Sequence, residues 1–276
     1  MNENMAVQIE SARTAQASAA APVAWPGLTL ERAGYGIFFL IGLVVRLLGL
    51  GQFQPLSPWE AAQAWPAWLD AMAVDVGVRT QPDSALLYTL QRFVFWLTDG
   101  GSDAWARFFP ALAGTGLILV PWLFRRQLGR GAALAIAFLL AVDPWLLAFS
   151  RMGDGGVFAV ATALIVLAGL TEANPDANPG RFRWLAATVG LYLASGPVAW
   201  LLLPPILAGA ILFRVDRLWP ADRVEQSRLA GLAGGTLLLA ATGLFAHVDG
   251  LAHLSTGMTV AVESVFGGAG AYPLSW

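Results

Sequence analysis

Apolar positions in this chain come in long unbroken runs, not in the alternation of a half-buried strand. The clearest are "GYGIFFLIGLVVRLLGLG" (34–51), "FFPALAGTGLILVPWLF" (108–124), "AALAIAFLLAVDPWLLAF" (132–149), "GVFAVATALIVLAGL" (156–170) and "LAGLAGGTLLLAATGLFA" (229–246). A further stretch, 184–213, is too long for one crossing and is interrupted at Ser195-Gly196-Pro197. It predicts two short helices joined by a tight external turn at Gly196-Pro197. A helix that crosses a bilayer needs about 20 mostly apolar residues. The runs therefore predict seven membrane-spanning helices, and helices are the expected spanning element because they satisfy their own backbone hydrogen bonds in lipid.

The segments between the runs differ from one another. Residues 1–30 are rich in Ala and Ser and lack helical periodicity, so they are expected to form a disordered cytoplasmic tail ahead of a transmembrane domain, 31–276. The first apolar run lies too far from the start to be the core of a signal peptide, so it is expected to be retained. The segment "SALLYTLQRFVFWL" (84–97) is short and carries Arg92. Runs of 10–14 residues are more often interfacial than spanning.

Charge placement orients these elements. All 16 basic residues are arginine. With a cytoplasmic N-terminus and 84–97 lying along the surface, 11 of the 16 fall on the cytoplasmic side, in the tail and in the loops at 125–130, 181–183 and 214–228. A crossing at 84–97 would move those three loops outside, against the positive-inside rule. The expected fold is thus an all-α polytopic bundle with juxtamembrane helices in a long first external loop, 52–107. Composition agrees: 57% of residues are hydrophobic, 12% charged, and mean hydropathy is +0.62, against roughly 25% charged in a soluble domain. No cysteine is present, which removes disulfides, thiol nucleophiles and Cys-based zinc sites. A net charge of −2 gives no basic patch for nucleic acid.

Candidate chemistry sits at the external ends of the runs. Glu60 stands in "PLSPWEAAQAWPAW" (55–68), and Asp154 with Arg151 in "SRMGDGG" (150–156). A carboxylate at headgroup depth can act as a general base on an acceptor hydroxyl, ligate a divalent cation beside a phosphate, or simply pair with an arginine. For a lone acid in a loop the ion pair has the larger prior. Arginine at position 151 suits a phosphate. The tryptophans match the ordinary enrichment of membrane interfaces. Asp143, inside an apolar run before Pro144, is open between a site role and a structural one. His247 and Asp249 are of metal-ligand type, and equally read as a polar helix end.

The order of these motifs resembles the membrane glycosyltransferases of the GT-C type, nearest the branch of protein O-mannosyltransferases and aminoarabinose transferases. The matching residues are Glu60-Ala61, Leu87-Tyr88, Ser102-Asp103 with Arg107 and Pro110-Ala111-Leu112, Arg125-Arg126 with Gly129-Arg130, and Ser150-Arg151 with Asp154. The likeness covers about residues 34–214, and no single motif in it is specific. It implies transfer of a sugar from a polyprenyl-phosphate carrier to an acceptor, with inversion, on the external face of the inner membrane. It also implies catalytic roles for Glu60 and Asp154, with a divalent metal on the same two residues in some branches, and substrate contacts from Arg151, Arg107, Trp59 and Tyr88. Two departures stand out. Trp59 replaces the Asp that precedes the Glu in the family, which leaves an inactive scaffold as a rival reading, with a transporter or flippase component behind it. Family members are also longer, so the chain is expected to be an N-terminal portion completed by a C-terminal half or a partner subunit.

This topology makes a direct prediction. An external, membrane-impermeant thiol reagent should label a cysteine at Gly101 and miss one at Gln127; the reverse pattern would invert the arrangement.

Overall fold

The computed structural model describes residues 29–52, 54–76, 81–171, 179–212, 222–243, 245 and 250–266, and these are all helix, turn or loop, with no strand among them. The tail through residue 28, the last ten residues, and His247 with Asp249 lie outside the described residues.

The first helix, α1 (Leu30–Leu47), is capped by the Thr29 side chain, which accepts from the Arg32 amide. The stretch after α1 supplies two helices, α2 (Pro58–Ala71) and α3 (Ala85–Leu97). The start of α2 is written in four residues. Ser57 is the N-cap, Pro58 takes the first turn, and Ser57 and Glu60 form a reciprocal capping box. The Ser84 and Ser102 hydroxyls cap α3 and α4 (Asp103–Gly116) by accepting from the Leu87 and Trp105 amides. A 3₁₀ turn (Leu117–Leu119) carries α4 directly into α5 (Val120–Leu123).

After a short α6 (Arg125–Leu128), the run expected as one helix is broken into α7 (Arg130–Val142) and α8 (Pro144–Ser150), bent by 60° at Asp143. Asp143 is the N-cap of α8: its Oδ1 accepts from the amides of Trp145 and Leu146 at 2.7 and 2.9 Å. Of its two open readings, the structure gives the structural one. The bend exposes carbonyls at the end of α7, and a buried arginine meets them. Arg46, fully buried in α1, donates to the carbonyls of Leu140 (2.9 Å), Ala141 (3.5 Å) and Gly42 (3.3 Å) and to the Ser150 hydroxyl (3.1 Å).

The remaining helices are α9 (Gly156–Thr171), α10 (Pro179–Ala194), α11 (Pro197–Leu212), α12 (Arg223–Thr242) and α13 (Gly250–Phe266). The turn expected at Ser195-Gly196-Pro197 is present, with Gly196 at φ +114°. The helix α13 was not expected: its Ser, Thr, Gly, His and Glu residues dilute the apolar run that signals a span. In the bundle, α4 packs between α1 and α9, while α9 also meets α10 and α11. α10 lies along α12, α11 along α13, and the α2–α3 pair sits over α4, α12 and α13.

The expectation of seven spans meets a coarser result. Among the described residues one continuous helix, Asp103–Leu123, is long and apolar enough to cross a membrane: 21 residues at mean hydropathy 1.4. The bent pair α7–α8 passes the same test when taken together. The helices α9, α10 and α11 have 16 residues each, about 24 Å at 1.5 Å per residue, which falls short of a hydrocarbon core of about 30 Å. Segment 84–97 forms α3 as a short helix, though its buried face (Leu87, Tyr88, Gln91, Val94, Phe95) is packed into the bundle. A side chain at Gly101 would meet the Trp68 ring at 2.5 Å, so a sidedness label belongs at Gly100, where only the Thr98 carbonyl lies within 4 Å.

Replacing Arg46 with Ala should destabilise the protein by roughly 2–4 kcal/mol, because it orphans carbonyls at the bend and leaves a cavity. Thermal unfolding of the two proteins in one detergent checks this; an unchanged midpoint would remove Arg46 as the brace of the α7–α8 bend.

Candidate functional site

The site is built where the segments 50–60, 81–84 and 150–156 meet near the start of α4. Glu60, at the third position of α2, is 4% exposed, and Arg107 on α4 is 7% exposed. They form a two-pronged ion pair, Nε to Oε1 at 2.7 Å and Nη2 to Oε2 at 2.8 Å. Oε1 also accepts from the Gly153 amide (2.7 Å) and Oε2 from the Ser57 amide (2.9 Å). A carboxylate offers about four lone-pair positions, and all four are used. Arg107 spends its other donors on the carbonyls of Leu50 (3.4 Å), Gln54 (2.9 Å) and Pro55 (3.2 Å). A guanidinium has five N–H donors, and all five are engaged.

Burial alone would raise the Glu60 carboxyl. The Arg107 guanidinium and the Gly153 and Ser57 amides outweigh it and hold the pKa at about 2. Glu60 is therefore charged and fully coordinated, which suits neither a proton acceptor near neutral pH nor a metal ligand. Nor does Arg107 keep a donor for a substrate. The cation implied by the family resemblance does not fit Glu60, whose lone pairs are taken and which lies against a guanidinium. Among the described residues no group of three or more His, Cys, Asp or Glu side chains could hold a metal ion.

Arg151 uses two of its five donors within the chain. It donates to the Val45 carbonyl (3.0 Å) and the Gly49 carbonyl (3.2 Å), capping the C-terminal end of α1. Tyr88 is buried on α3, donates its hydroxyl to Asp70, and packs edge-on against His253 of α13 with ring centroids 4.5 Å apart. Trp59 is 45% exposed on the outer side of α2.

Asp154 follows Gly153, whose amide holds Glu60, so the two loops adjoin although 94 residues separate the two acids. Opposite Asp154 stands an acid that sequence reading passed over. Asp83 is 9% exposed and interacts with Asp154 electrostatically. Its segment is clamped by Gln63 of α2, whose Oε1 accepts from the amides of Asp83 (3.0 Å) and Ser84 (3.3 Å) and whose Nε2 donates to the Ser84 carbonyl (3.0 Å). The Ser84 hydroxyl donates to the Ser195 carbonyl at 2.8 Å.

Close backbone approach completes the junction. A Cβ on Gly155 would lie 2.3 Å from the Ser195 carbonyl oxygen and 2.4 Å from the Ser84 hydroxyl, and one on Gly257 would lie 2.5 Å from the Asp83 carbonyl oxygen. Burial, with the negative charge of Asp154 beside it, pushes the Asp83 carboxyl up to about 7. Asp154 is also raised, by burial and by the Glu60 charge, against the lowering effect of the Gly155 and Gly156 amides. Both neighbouring aspartates are thus raised, while Glu60 stays ionised. In sequence, Asp83 sits in "QPDS" (81–84) and reads as the turn before a helix cap, which it also is.

No family model matches the chain, and neither a curated protein nor a solved structure does.

The raised Asp83 pKa has a signed consequence. Between the ordinary carboxyl value of 3.8 and about 7, the folded state holds a proton at Asp83 that the unfolded state has released. Stability contributed by this group is therefore full below pH 3.8 and declines as pH rises to about 7. Asp83→Asn should be more stable than the parent at pH 8 and lose that advantage at pH 4; melting curves at the two pH values check it, and a pH-independent difference would overturn it. Glu60→Gln should behave oppositely. Its ion pair contributes fully above pH 4.5 and is lost as pH falls toward 2, so at pH 7 the substitution should cost about 3–5 kcal/mol by leaving Arg107 buried and uncompensated.

Proposed function

We propose that the chain is a GT-C-like membrane glycosyltransferase, or the N-terminal part of one, that transfers a sugar from a polyprenyl-phosphate carrier to an acceptor hydroxyl on the external face of the inner membrane. The observation that carries this reading is the pair Asp83–Asp154. It sets two acids with raised carboxyls side by side, in two loops that the proposed topology puts on one side, at the ends of apolar helices. The seven-span arrangement belongs to the same proposal. The apolar outer face of α1 (Ile37, Leu40, Ile41, Val44) is exposed and would need lipid to cover it.

In this reading the chemistry moves from Glu60 to Asp154. Asp154, the more exposed of the facing acids, takes the proton of the acceptor hydroxyl. The acceptor oxygen bonds to the anomeric carbon as the bond from that carbon to the carrier phosphate oxygen breaks, and polyprenyl phosphate leaves. Burial and the Glu60 charge raise the Asp154 carboxyl and so favour proton uptake there, and the Asp154 charge in turn raises Asp83. Glu60 and Arg107 fix the loop that carries Asp154, a positioning role. The substitution of Trp59 for the family's Asp then removes a side chain on the outer side of α2 and leaves the facing acids untouched.

The test uses the full chain, completed by its partner segment where one exists, with a polyprenyl-phosphate sugar donor. Asp154→Asn should lower transfer by about 10²–10⁴-fold, the usual worth of general-base assistance, with thermal stability retained. Glu60→Gln should lower stability and transfer together. Full transfer by Asp154→Asn would remove Asp154 as the base. A folded parent protein that transfers from no donor would favour the inactive scaffold.

A further inference from the structure

Between α2, the end of α3 and the start of α4 lies a cleft of about 460 Å³, within the 300–1,000 Å³ usual for ligand pockets. Its walls include Trp65, Trp68 and Met72 of α2 and Phe95 of α3, and two acids, Asp99 and Asp103, stand in the lining. The two indoles form a platform. They lie one helical turn apart and stack, with ring centroids 4.9 Å apart and planes 24° apart. Trp68 rests against the 101 backbone, where a Cβ on Gly101 would lie 2.5 Å from its Cδ1. Trp65 is 50% exposed. One ring is thus fixed, and its neighbour is open to a ligand.

The two acids are held differently. Asp103 Oδ2 accepts from the Leu56 amide at 3.2 Å. The Asp99 carboxylate accepts no hydrogen bond and forms no ion pair among the described residues. Its backbone is left-handed, with φ +48°, in the turn that ends α3, where the Gly100 amide donates to the Phe95 carbonyl at 3.2 Å. Glycine or asparagine suits that position better, so the aspartate there strains the backbone and sets a carboxylate among the rings.

The chemistry of this lining selects a cation. Carboxylates and the faces of aromatic rings both attract positive charge. No arginine stands in the lining to balance them, and Arg107, which feels the Asp103 charge, is matched by Glu60. A sugar would need donors as well as acceptors. Among the described residues of the lining, the Ser102 hydroxyl and the two indole N–H groups are the only side-chain donors. We propose that the cleft binds a small organic cation with an apolar body, an alkylated or quaternary ammonium, its charge at the Asp99 and Asp103 carboxylates and its apolar part against Trp65. The cleft is larger than an ammonium group alone, which leaves room for the apolar body. The site does not draw on the transferase reading, and neither Asp83 nor Asp154 lines it.

The test is titration of the purified full chain, labelled with 5-fluorotryptophan and held in an uncharged polyoxyethylene detergent. The fluorine signals of Trp65 and Trp68, assigned with Trp65→Phe and Trp68→Phe, report on the cleft itself. Four probes are compared: choline, its neutral isostere 3,3-dimethylbutan-1-ol, benzyltrimethylammonium and methyl glucoside. Choline should bind about 10-fold more tightly than the isostere, on the scale of a cation held by an aromatic face and nearby carboxylates. Benzyltrimethylammonium should bind more tightly than choline, and the glucoside should leave both signals unmoved. The double variant Asp99→Asn with Asp103→Asn should bring choline to within about 2-fold of the isostere, since asparagine tolerates the left-handed turn and keeps an acceptor for Leu56. Equal binding of choline and the isostere, a double variant that keeps the preference, or a glucoside that binds as tightly as benzyltrimethylammonium would overturn the proposal. Should the double variant fail to fold, Trp65→Ala at its half-exposed position decides, read at Trp68: undiminished benzyltrimethylammonium binding overturns the proposal, and weakened binding supports it.

Discussion

The Glu60–Arg107 ion pair is the constraint on which this end of the bundle depends. Two charges in apolar surroundings are tolerable only when each is fully coordinated, and here every donor and every lone pair is used. Satisfying them requires three segments to come to α4 at once: the chain leaving α1 at Leu50–Pro55, the start of α2 at Ser57–Glu60, and the 153 loop. Asp154 is placed as a consequence. It sits one residue past the amide that Glu60 holds, so a shift in the ion pair would move the acid that faces Asp83.

Arg46 repeats the device deeper in the bundle. There the partners are carbonyls freed by the bend between α7 and α8, with the Ser150 hydroxyl beside them. The same bend leads α8 to Arg151, which caps the end of α1. Two arginines that read as isolated charges in sequence are each the local solution to unpaired backbone. Small residues make this packing possible. Gly42 lets Ile118 reach α1, and Gly114 lets α4 close on Ser150; a Cβ at either would lie within about 2.2 Å of its neighbour.

Much of this was legible in the chain. Continuous apolar runs gave the helices, and the Ser195-Gly196-Pro197 break separated α10 from α11. Ser57-Pro58-Trp59-Glu60 carried more than was taken from it. Ser followed three residues later by Glu is a capping box, so the pattern already placed Glu60 facing its own backbone. What it could not give was the partner 47 residues away, and with it the loss of free lone pairs that changes Glu60 from candidate base to strut. The bend at Asp143 was half visible, since Asp-Pro is a helix start as readily as a flaw in a span. Asp83 and α13 were missed for one reason: both are polar stretches whose burial comes from tertiary contacts, Gln63 and Gly257 against the Asp83 segment, and no local periodicity records such contacts.

The three acids divide by how their burial is compensated. Glu60 is buried against a cation, so its charge is permanent and the site gains rigidity. Asp83 is buried against another acid and against glycine backbone, so its charge is conditional and the site gains a proton that can move. Placing the two kinds next to one another has a further effect: the ionised Glu60 also opposes ionisation of Asp154. The strut that positions the Asp154 loop therefore helps set the affinity of that loop for a proton. An exposed pair would do neither, since water would screen the field. The burial that disqualifies Glu60 as a reactant is what lets it act on its neighbour.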